Sequence, residues 1–302
     1  MGTPEFAVPS LSKLYDAGYD IAAVVTAPDK PAGRGMQLSE SAVKKYALEK
    51  NLKILQPERL KDPHFIEELK SLKADVQIVV AFRMLPEIVW NMPPLGTINL
   101  HASLLPQYRG AAPINWAIIN GEKQTGLTTF KLQHEIDTGN VLLQEKIDIL
   151  DNETAGSLHD KMMEAGGELL LKTLRKLEEG KIEEVFQNEI KIGNENSLKQ
   201  APKIFTETCE INWNKSTGEI YNLIRGLSPY PAAFTFLEGK KLKIFAADKE
   251  KTEKINEPGK IFTDHKLFLK FATNDGFISV KEIQLEGKKK MSIADFLRGW
   301  RG

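Results

Sequence analysis

The sequence predicts an α/β fold for about its first two-thirds and a small β-barrel for the remainder. Short apolar runs alternate with longer helical patterns up to residue 186, as is typical of a parallel sheet covered by helices. The stretch 187–200 is polar and rich in asparagine, so we expect a linker there. Short strands separated by turn residues follow it and predict the barrel. The expected domains are therefore residues 1–186 and 201–302.

The elements of each domain follow from the period of the apolar residues. In the first domain we expect strands over residues 21–26, 75–81, 96–100, 126–132 and 140–147, and helices over residues 11–17, 41–50, 64–72, 113–120 and 155–179. In the second domain we expect a helix over residues 216–225 and strands over residues 232–237, 241–247, 259–262, 267–272 and 276–285. In open sheets of the first kind, ligands bind beyond the carboxyl ends of the strands.

Charge and composition exclude several classes of protein. The chain has 41 basic and 41 acidic residues, of which 18 basic and 13 acidic ones lie from residue 201 onward. This basic excess is compatible with an anionic partner and does not establish one. The single cysteine, Cys209, excludes a disulfide framework and a cysteine-built metal site. No apolar run is long enough for a membrane span and the N-terminus has no signal pattern, so we expect a cytoplasmic protein.

Asn99 and His101 are the strongest candidates for a catalytic pair. Residues two apart in a strand face the same way, so both side chains leave the end of the 96–100 strand together. An amide can donate to a developing oxyanion while an imidazole moves a proton, and acyl transfer needs both. Asp137 follows the next strand on a turn and is the nearest downstream carboxylate able to orient the imidazole. The alternative is a structural histidine at a strand end and an aspartate that caps a turn.

The full set of ordered motifs decides between these interpretations. They are Asn99-x-His101, Ser103-Leu104-Leu105-Pro106, Tyr108-Arg109-Gly110-Ala111-Ala112-Pro113 and Asp137-Thr138-Gly139. This order closely resembles the folate-dependent formyltransferases, and within them the branch that formylates methionyl initiator tRNA. Further matching motifs lie at residues 2–7, 28–35, 201–204 and 224–231. The resemblance therefore runs from end to end.

The resemblance implies a Rossmann-like catalytic domain followed by an oligonucleotide-binding-type barrel that contacts tRNA. The formyl donor would be 10-formyltetrahydrofolate and the acceptor the free α-amine of methionine on initiator tRNA, with no metal required. Asn99 would hydrogen-bond the formyl oxygen, and His101 would assist the proton transfers. Asp137 would hold His101 or an ordering water. We expect a monomer.

The resemblance also implies binding residues. Folate contacts fall on Ser103, Leu104, Leu105 and Pro106, and part of the pterin pocket falls on Phe82, Arg83, Met84 and Leu85. For Leu104 and Leu105 the alternative is plain core packing. We nominate as tRNA contacts Arg34, Lys203, Arg225, Lys240, Lys241, Lys288 and Lys289. Arg34 lies in a loop of glycines and proline that the family brings to the acceptor end, and the alternative is an uninvolved surface side chain. The lysine clusters sit beside glycines as hairpin tips do, and the alternative is a solvated loop.

Two departures from the family pattern carry expectations of their own. Related sequences have an apolar strand immediately before the Gly2-Thr3-Pro4 turn. We therefore expect either that the start of this sequence is internal to a longer chain or that the protein without this strand is compromised in folding. The segment 81–86 is one residue shorter than usual and has Arg83 where glycine is common. The pterin contacts there are therefore expected to differ.

Two other functions fit the same residues. A sugar-nucleotide N-formyltransferase would share Asn99, His101 and Asp137 and a barrel-like second domain. The Pro-Ala-Gly-Arg-Gly loop at residues 31–35 and the basic clusters favour tRNA over it. A folate-binding or RNA-binding module without turnover predicts instead that His101→Ala changes nothing.

Overall fold

A computed structural model describes residues 1–32, 37–190, 198–252 and 256–300. The chain divides into two compact units. Unit 1 contains Met1–Arg109, Gly126–Ile147 and His159–Lys199. Unit 2 contains Gly110–Thr125, Asp148–Leu158 and Gln200–Gly302. The domain boundaries expected from the sequence, after residues 186 and 200, stay a prediction.

The regular elements of the described residues are as follows. The helices are α1 (Val8–Asp16), α2 (Ala42–Glu49), α3 (Pro63–Ser71), α4 (Glu87–Trp90), α5 (Pro113–Ile119), α6 (Ala155–Glu178), α7 (Thr217–Gly226) and α8 (Ile293–Gly299). The strands are β1 (Val24–Val25), β2 (Lys30–Ala32), β3 (Gln37–Ser39), β4 (Ile54–Leu55), β5 (Gln77–Val80), β6 (Thr97–His101), β7 (Arg109–Gly110), β8 (Gln124–Lys131), β9 (Val141–Asp148), β10 (Gln200–Ala201), β11 (Ala233–Leu237), β12 (Lys240–Lys251), β13 (Ile261–Thr263), β14 (Leu269–Ala272), β15 (Gly276–Leu285) and β16 (Met291–Ser292).

The main sheet of unit 1 has the strand order β5-β6-β8-β9. β5 and β6 are parallel, and β1 pairs with β4 in parallel beside them. The backbone of residues 1 and 2 lies between β1 and β5, because the Gly2 amide donates to the Val25 carbonyl and the Val80 amide donates to the Met1 carbonyl. The predicted Rossmann-like α/β domain is confirmed, with one difference: β8 runs antiparallel to β6, so the sheet is mixed.

Capping residues fix where the helices of unit 1 begin. Ser41 accepts a hydrogen bond from the Lys44 amide at the start of α2, and Asp62 accepts from two amides at the start of α3. These bonds satisfy backbone donors that a helix leaves unpaired in its first turn. α3 also begins with Pro63, whose missing N–H costs nothing there. The core under these helices is apolar and includes Val25, Leu55, Phe65, Leu69, Val79 and Val89.

Unit 2 is built on an antiparallel sheet with the order β11-β12-β15-β14-β13, and β16 pairs with β15. Register shifts between Ile244 and Ala247 bend the long strand β12, as β-bulges do. The sheet curls into a half-barrel over a core that includes Ile224, Leu242, Phe271 and Ile283. The predicted small β-barrel is thus confirmed, in the form of a half-barrel of antiparallel strands.

Several elements differ from their sequence-based bounds. β1 contains only Val24–Val25 because its partner β4 is two residues long. β12 extends to Lys251 because β15 pairs with it far beyond residue 247. β16 and α8 were missed, since two paired residues and a seven-residue helix leave little periodic signal.

Candidate active site

Asn99 and His101 leave strand β6 on the same face, as predicted. The strand is paired on both sides, with Asn99 opposite Val79 of β5 and opposite Phe130 of β8. This double pairing fixes the direction of both side chains. Asn99 is half-buried, and its side-chain amide group has no hydrogen bond within the described ranges. This side-chain group is not fully enclosed by the protein. It is therefore available as a donor to a ligand.

The His101 ring is held in one tautomer by a backbone carbonyl. Its Nε2 lies 2.9 Å from the Tyr108 carbonyl oxygen, and the residue is 7% exposed. A carbonyl only accepts hydrogen bonds, so Nε2 carries the hydrogen. In the neutral ring, Nδ1 then has the lone pair. The Phe130 ring meets the imidazole edge-on, with centroids 6.5 Å apart, and limits its rotation.

Asp137 faces the remaining ring nitrogen. Its Oδ2 lies 3.9 Å from His101 Nδ1. This separation exceeds a direct hydrogen bond but brings a carboxylate close to the nitrogen that gains charge on protonation. Asp137 has a φ of 55°, in the left-handed region that aspartate tolerates in turns. The structure thus brings together all three predicted catalytic residues.

This arrangement has the parts that acyl transfer requires. Asn99 offers an N–H donor to an oxygen that becomes negative. In such a reaction His101 would offer the lone pair of Nδ1, because the Tyr108 carbonyl holds the hydrogen on Nε2, and Asp137 would stabilise the imidazolium that results. The Tyr108 carbonyl orients the ring through Nε2, and the Asp137 carboxylate faces Nδ1. The expectation that Asp137 holds His101 or an ordering water stays a prediction.

Sequence analysis missed a glutamine that anchors the Asp137 turn. Gln187 was placed in the linker, but its side chain is buried and donates to the Asp137 and Gly139 carbonyl oxygens. The contact spans 50 residues in sequence, so no local pattern announces it.

The predicted folate contacts at residues 103–106 are tightly held. The Leu105 amide donates to Thr128 Oγ1 at 3.1 Å, and Gln144 Nε2 donates to the Leu105 carbonyl at 2.8 Å. The Ser103 hydroxyl donates to the Gln107 carbonyl, and Leu105 is 1% exposed in a core with Phe130. The Ser103 and Leu105 side chains therefore face the protein interior. Leu104 is half-buried, and Pro106 is buried. Their role toward folate stays a prediction.

Three of the four predicted pterin residues line a surface groove. Arg83, Met84 and Leu85 border this groove, whose volume is about 870 Å³. Arg83 donates to the carbonyls of Pro57 and Glu58, and Phe82 lies half-buried beside its guanidinium. Met84 is 74% exposed, so the groove presents apolar surface to solvent. A second cavity, of about 420 Å³, lies between β1 and β5 and is lined by none of the predicted site residues.

The predicted lysine clusters of unit 2 occupy neighbouring hairpin tips. β11 and β12 are joined by Glu238 and Gly239, both with positive φ, which is typical of a two-residue hairpin turn. The Lys241 amide donates to the Glu286 carboxylate at the tip between β15 and β16. Lys240 thus lies near the exposed pair Lys288 and Lys289.

One nominated tRNA contact, Arg225, is placed differently from the expectation. Arg225 is 5% exposed and donates to the Leu150 and Glu153 carbonyls, and burial lowers the pKa of its guanidinium. It therefore stabilises unit 2 internally, and we withdraw it as a phosphate contact. Arg34 lies outside the described residues. Lys203 is exposed, with its ammonium 5.7 Å from the centroid of the exposed Phe205 ring.

The described ranges contain no group of three or more His, Cys, Asp or Glu side chains able to hold a metal ion. Among their helices, none is both long and apolar enough to span a bilayer.

Comparison with known proteins gives matches over nearly the whole chain. Residues 1–174 match the family described as formyl transferase, and residues 203–301 match the formyl transferase C-terminal domain. A protein of Phocaeicola vulgatus is 56% identical over 100% of this chain and 94% of its own length. A protein of Bacteroides fragilis is 53% identical over 99% of this chain and 94% of its own length. Both are named methionyl-tRNA formyltransferase.

Solved structures show the same fold at lower identity. An N-formyltransferase from Helicobacter canadensis, in complex with folinic acid and dTDP-3-aminofucose, has a TM-score of 0.68 and 21% identity and covers 96% of this chain and 97% of its own. HypX from Aquifex aeolicus, in complex with tetrahydrofolic acid, has a TM-score of 0.59 and 21% identity over 83% of this chain and 43% of its own.

Proposed function

The chain belongs to the formyl transferase family, and from this we propose that it transfers a formyl group from 10-formyltetrahydrofolate to the free α-amine of methionyl initiator tRNA. The observation that carries the proposal is a sequence identity of more than 50%, over essentially the whole chain, to relatives that are named for this activity. The arrangement of Asn99, His101 and Asp137 supports it independently, because it suits acyl transfer to an amine.

The groove beside residues 83–88 fits the folate. Its exposed apolar side chains Met84 and Ile88 suit a flat ring, and Arg59 and Lys61 at its border suit carboxylates. When bound, 10-formyltetrahydrofolate supplies the formyl carbon. Met84, Leu85 and the turn at residues 103–106 would hold the folate there.

Asn99 provides the electrostatic part of the mechanism. The amine nitrogen forms a bond to the formyl carbon while the bond from that carbon to N10 of the folate breaks. The formyl oxygen gains negative charge on the way, and the unengaged Asn99 amide is placed to donate to it. Because β6 is paired on both sides, this donor needs little reorganisation as charge develops.

His101 provides the proton transfer. The attacking amine must lose a proton and N10 must gain one, so one group that accepts and then donates serves both needs. Nδ1 has the lone pair, since Nε2 is engaged by the Tyr108 carbonyl. Asp137, 3.9 Å away, stabilises the imidazolium between the two transfers.

We assign tRNA contact to unit 2 and to Arg34. Lys240, Lys241, Lys288 and Lys289 on adjacent hairpin tips, together with Lys203 beside Phe205, suit a phosphate backbone. We also propose a monomer that works in the cytoplasm, where a translation enzyme meets its tRNA.

The test compares acceptors under identical conditions. Labelled 10-formyltetrahydrofolate is mixed with methionyl initiator tRNA or with a dTDP-amino sugar, and the labelled product is separated. We expect label on the tRNA, and a loss of about 10³-fold in kcat for His101→Ala. His64→Ala, an exposed histidine on α3, is the matched control and should retain full activity. Label on the sugar alone would move the protein to the sugar branch. Unchanged binding and biological activity in His101→Ala would indicate a module without turnover.

A further inference from the structure

The loop that carries Asp137 is braced at its base by a short segment from elsewhere in the chain. This bracing segment, residues 184–187, follows α6. The Val185 and Val141 backbones exchange two hydrogen bonds of 2.9 Å. Glu184 accepts from Asn140 and forms an ion pair with Lys131, so it connects the end of β8 to the last residue of the loop. The base of the loop is thus fixed by paired backbone and charge.

Gln187 continues the bracing segment into the loop itself. Its Nε2 donates to the Asp137 carbonyl at 2.9 Å and to the Gly139 carbonyl at 2.8 Å. Its Oε1 accepts from Arg109 Nε at 3.0 Å and from Arg109 Nη2 at 2.6 Å. Carbonyls only accept and a guanidinium only donates, so these partners allow one orientation of the amide. The side chain is 5% exposed, and each of its polar atoms has two partners.

Arg109 links this amide to the residue that holds His101. The preceding residue is Tyr108, whose carbonyl accepts from His101 Nε2. The Tyr108 amide in turn donates to the Lys199 carbonyl at 2.7 Å, which fixes this backbone. The dipeptide Tyr108-Arg109 therefore positions His101 directly and the Asp137 loop through Gln187.

We propose that Gln187 is a positioning residue that, with Arg109, sets the separation between the Asp137 carboxylate and His101 Nδ1. This inference rests on the proposed function and deepens it. Gln187 touches the backbone of Asp137 and does not face the reacting atoms. Its effect should therefore appear in kcat, because a misplaced carboxylate stabilises the imidazolium less, while substrate binding is left intact.

Gln187→Glu separates this role from simple packing. The carboxylate has nearly the same size and still accepts from Arg109, but it cannot donate to the two loop carbonyls. We expect kcat to fall about 10- to 100-fold, with KM for both substrates within about twofold of the native value. Gln187→Ala should give a loss of similar size. The matched control is Gln77→Ala, another buried glutamine of unit 1, whose side chain contacts Thr97 and not the loop. It should lower the melting temperature and leave kcat within about twofold.

Hydrogen–deuterium exchange of the full chain gives a readout that does not depend on the substrate. In both Gln187 variants, peptides covering residues 132–140 should exchange faster, while peptides covering β6 exchange as in the native protein. Unchanged exchange in the loop would overturn the proposed anchoring. Faster exchange with native kcat, or with a change in KM alone, would show a structural role and overturn the positioning role. If the native protein fails to formylate tRNA, the function falls, and the exchange result still decides whether Gln187 anchors the loop.

Discussion

Strand β6 and the loop at residues 132–140 each deliver part of the same site, and they do so by different means. Asn99 and His101 are held by backbone hydrogen bonds to strands on both sides. Asp137 lies in a loop whose carbonyls accept hydrogen bonds from the buried Gln187 side chain and whose base is braced by residues 184–185. A substitution of Asn99 or His101 removes a functional group while the strand backbone stays in place. A substitution around the loop leaves the Asp137 carboxylate present but displaces it.

This difference indicates which substitutions should lower activity with little effect on stability. The half-buried Asn99 side chain, which has no hydrogen bond within the described residues, can be truncated with little loss of packing. A loop that depends on a few side-chain contacts can be displaced by a residue that never meets the substrate. The predictions below use each region in turn.

Apart from His101→Ala, the largest effect is expected from Asn99→Ala. Removing one donor to a developing oxyanion typically costs about 10²- to 10³-fold in kcat. Because the Asn99 amide has no partner within the described residues, its removal should leave the melting temperature nearly unchanged. Steady-state kinetics with methionyl initiator tRNA and a thermal melt check both statements. A higher KM with the native kcat would show that Asn99 contributes to substrate binding and not to the chemical step.

A smaller effect on kcat is expected from Gly139→Ala, which acts on the loop alone. A Cβ at this position would lie 1.6 Å from the Lys131 carbonyl oxygen, so the backbone must shift. We expect a loss of about 10- to 100-fold in kcat through displacement of Asp137. Gly180→Ala is a useful control for glycine loss, because its φ of 64° is also positive but no atom lies near the added methyl. Native kcat in Gly139→Ala would show that Asp137 tolerates movement.

The smallest effect is expected from the ion pair at the base of the loop. The Lys131 ammonium, 2.5 Å away, lowers the pKa of Glu184. A carboxyl pKa that is lowered in the folded state stabilises the protein at pH values above the ordinary glutamate pKa of about 4.3. This stabilisation is lost as the pH falls through the folded-state pKa. Glu184→Gln should therefore be less stable than the native protein at pH 7, by less than about 1 kcal/mol for so exposed a pair. Denaturant unfolding at pH 7 and at pH 3 should show that the native protein and Glu184→Gln differ less in their free energy of unfolding at the lower pH. The same difference at both pH values would contradict the linkage.

The strand half of the site was accessible from sequence because it is local. The two-residue spacing of Asn99 and His101 in an apolar run predicts their common face, and the structure has it. The register of β6 between β5 and β8 was not accessible, since pairing is decided by distant strands. For the same reason the prediction of a parallel sheet, confirmed for β5 and β6, did not include the antiparallel β8.

The loop half shows where sequence reasoning stops. Asp137 was found because a turn motif and a family pattern mark it. Gln187 lies in a polar stretch that indicates a linker, and only its burial and its hydrogen bonds reveal its role. Arg225 fails in the opposite direction: an arginine in a basic domain suggests a phosphate contact, yet its guanidinium is enclosed by backbone carbonyls. Composition indicates charge and gives no information on exposure.

The central claim is that the strand and the loop form one catalytic unit for formyl transfer to methionyl initiator tRNA. Single-turnover rates for His101→Ala, Asp137→Ala and the double variant test it most directly. Because Asp137 acts through the charge on His101, its removal should slow the native enzyme about 10- to 100-fold and have almost no further effect once His101 is absent. Equal losses from Asp137→Ala in both backgrounds would contradict the account, since the two residues would then act independently.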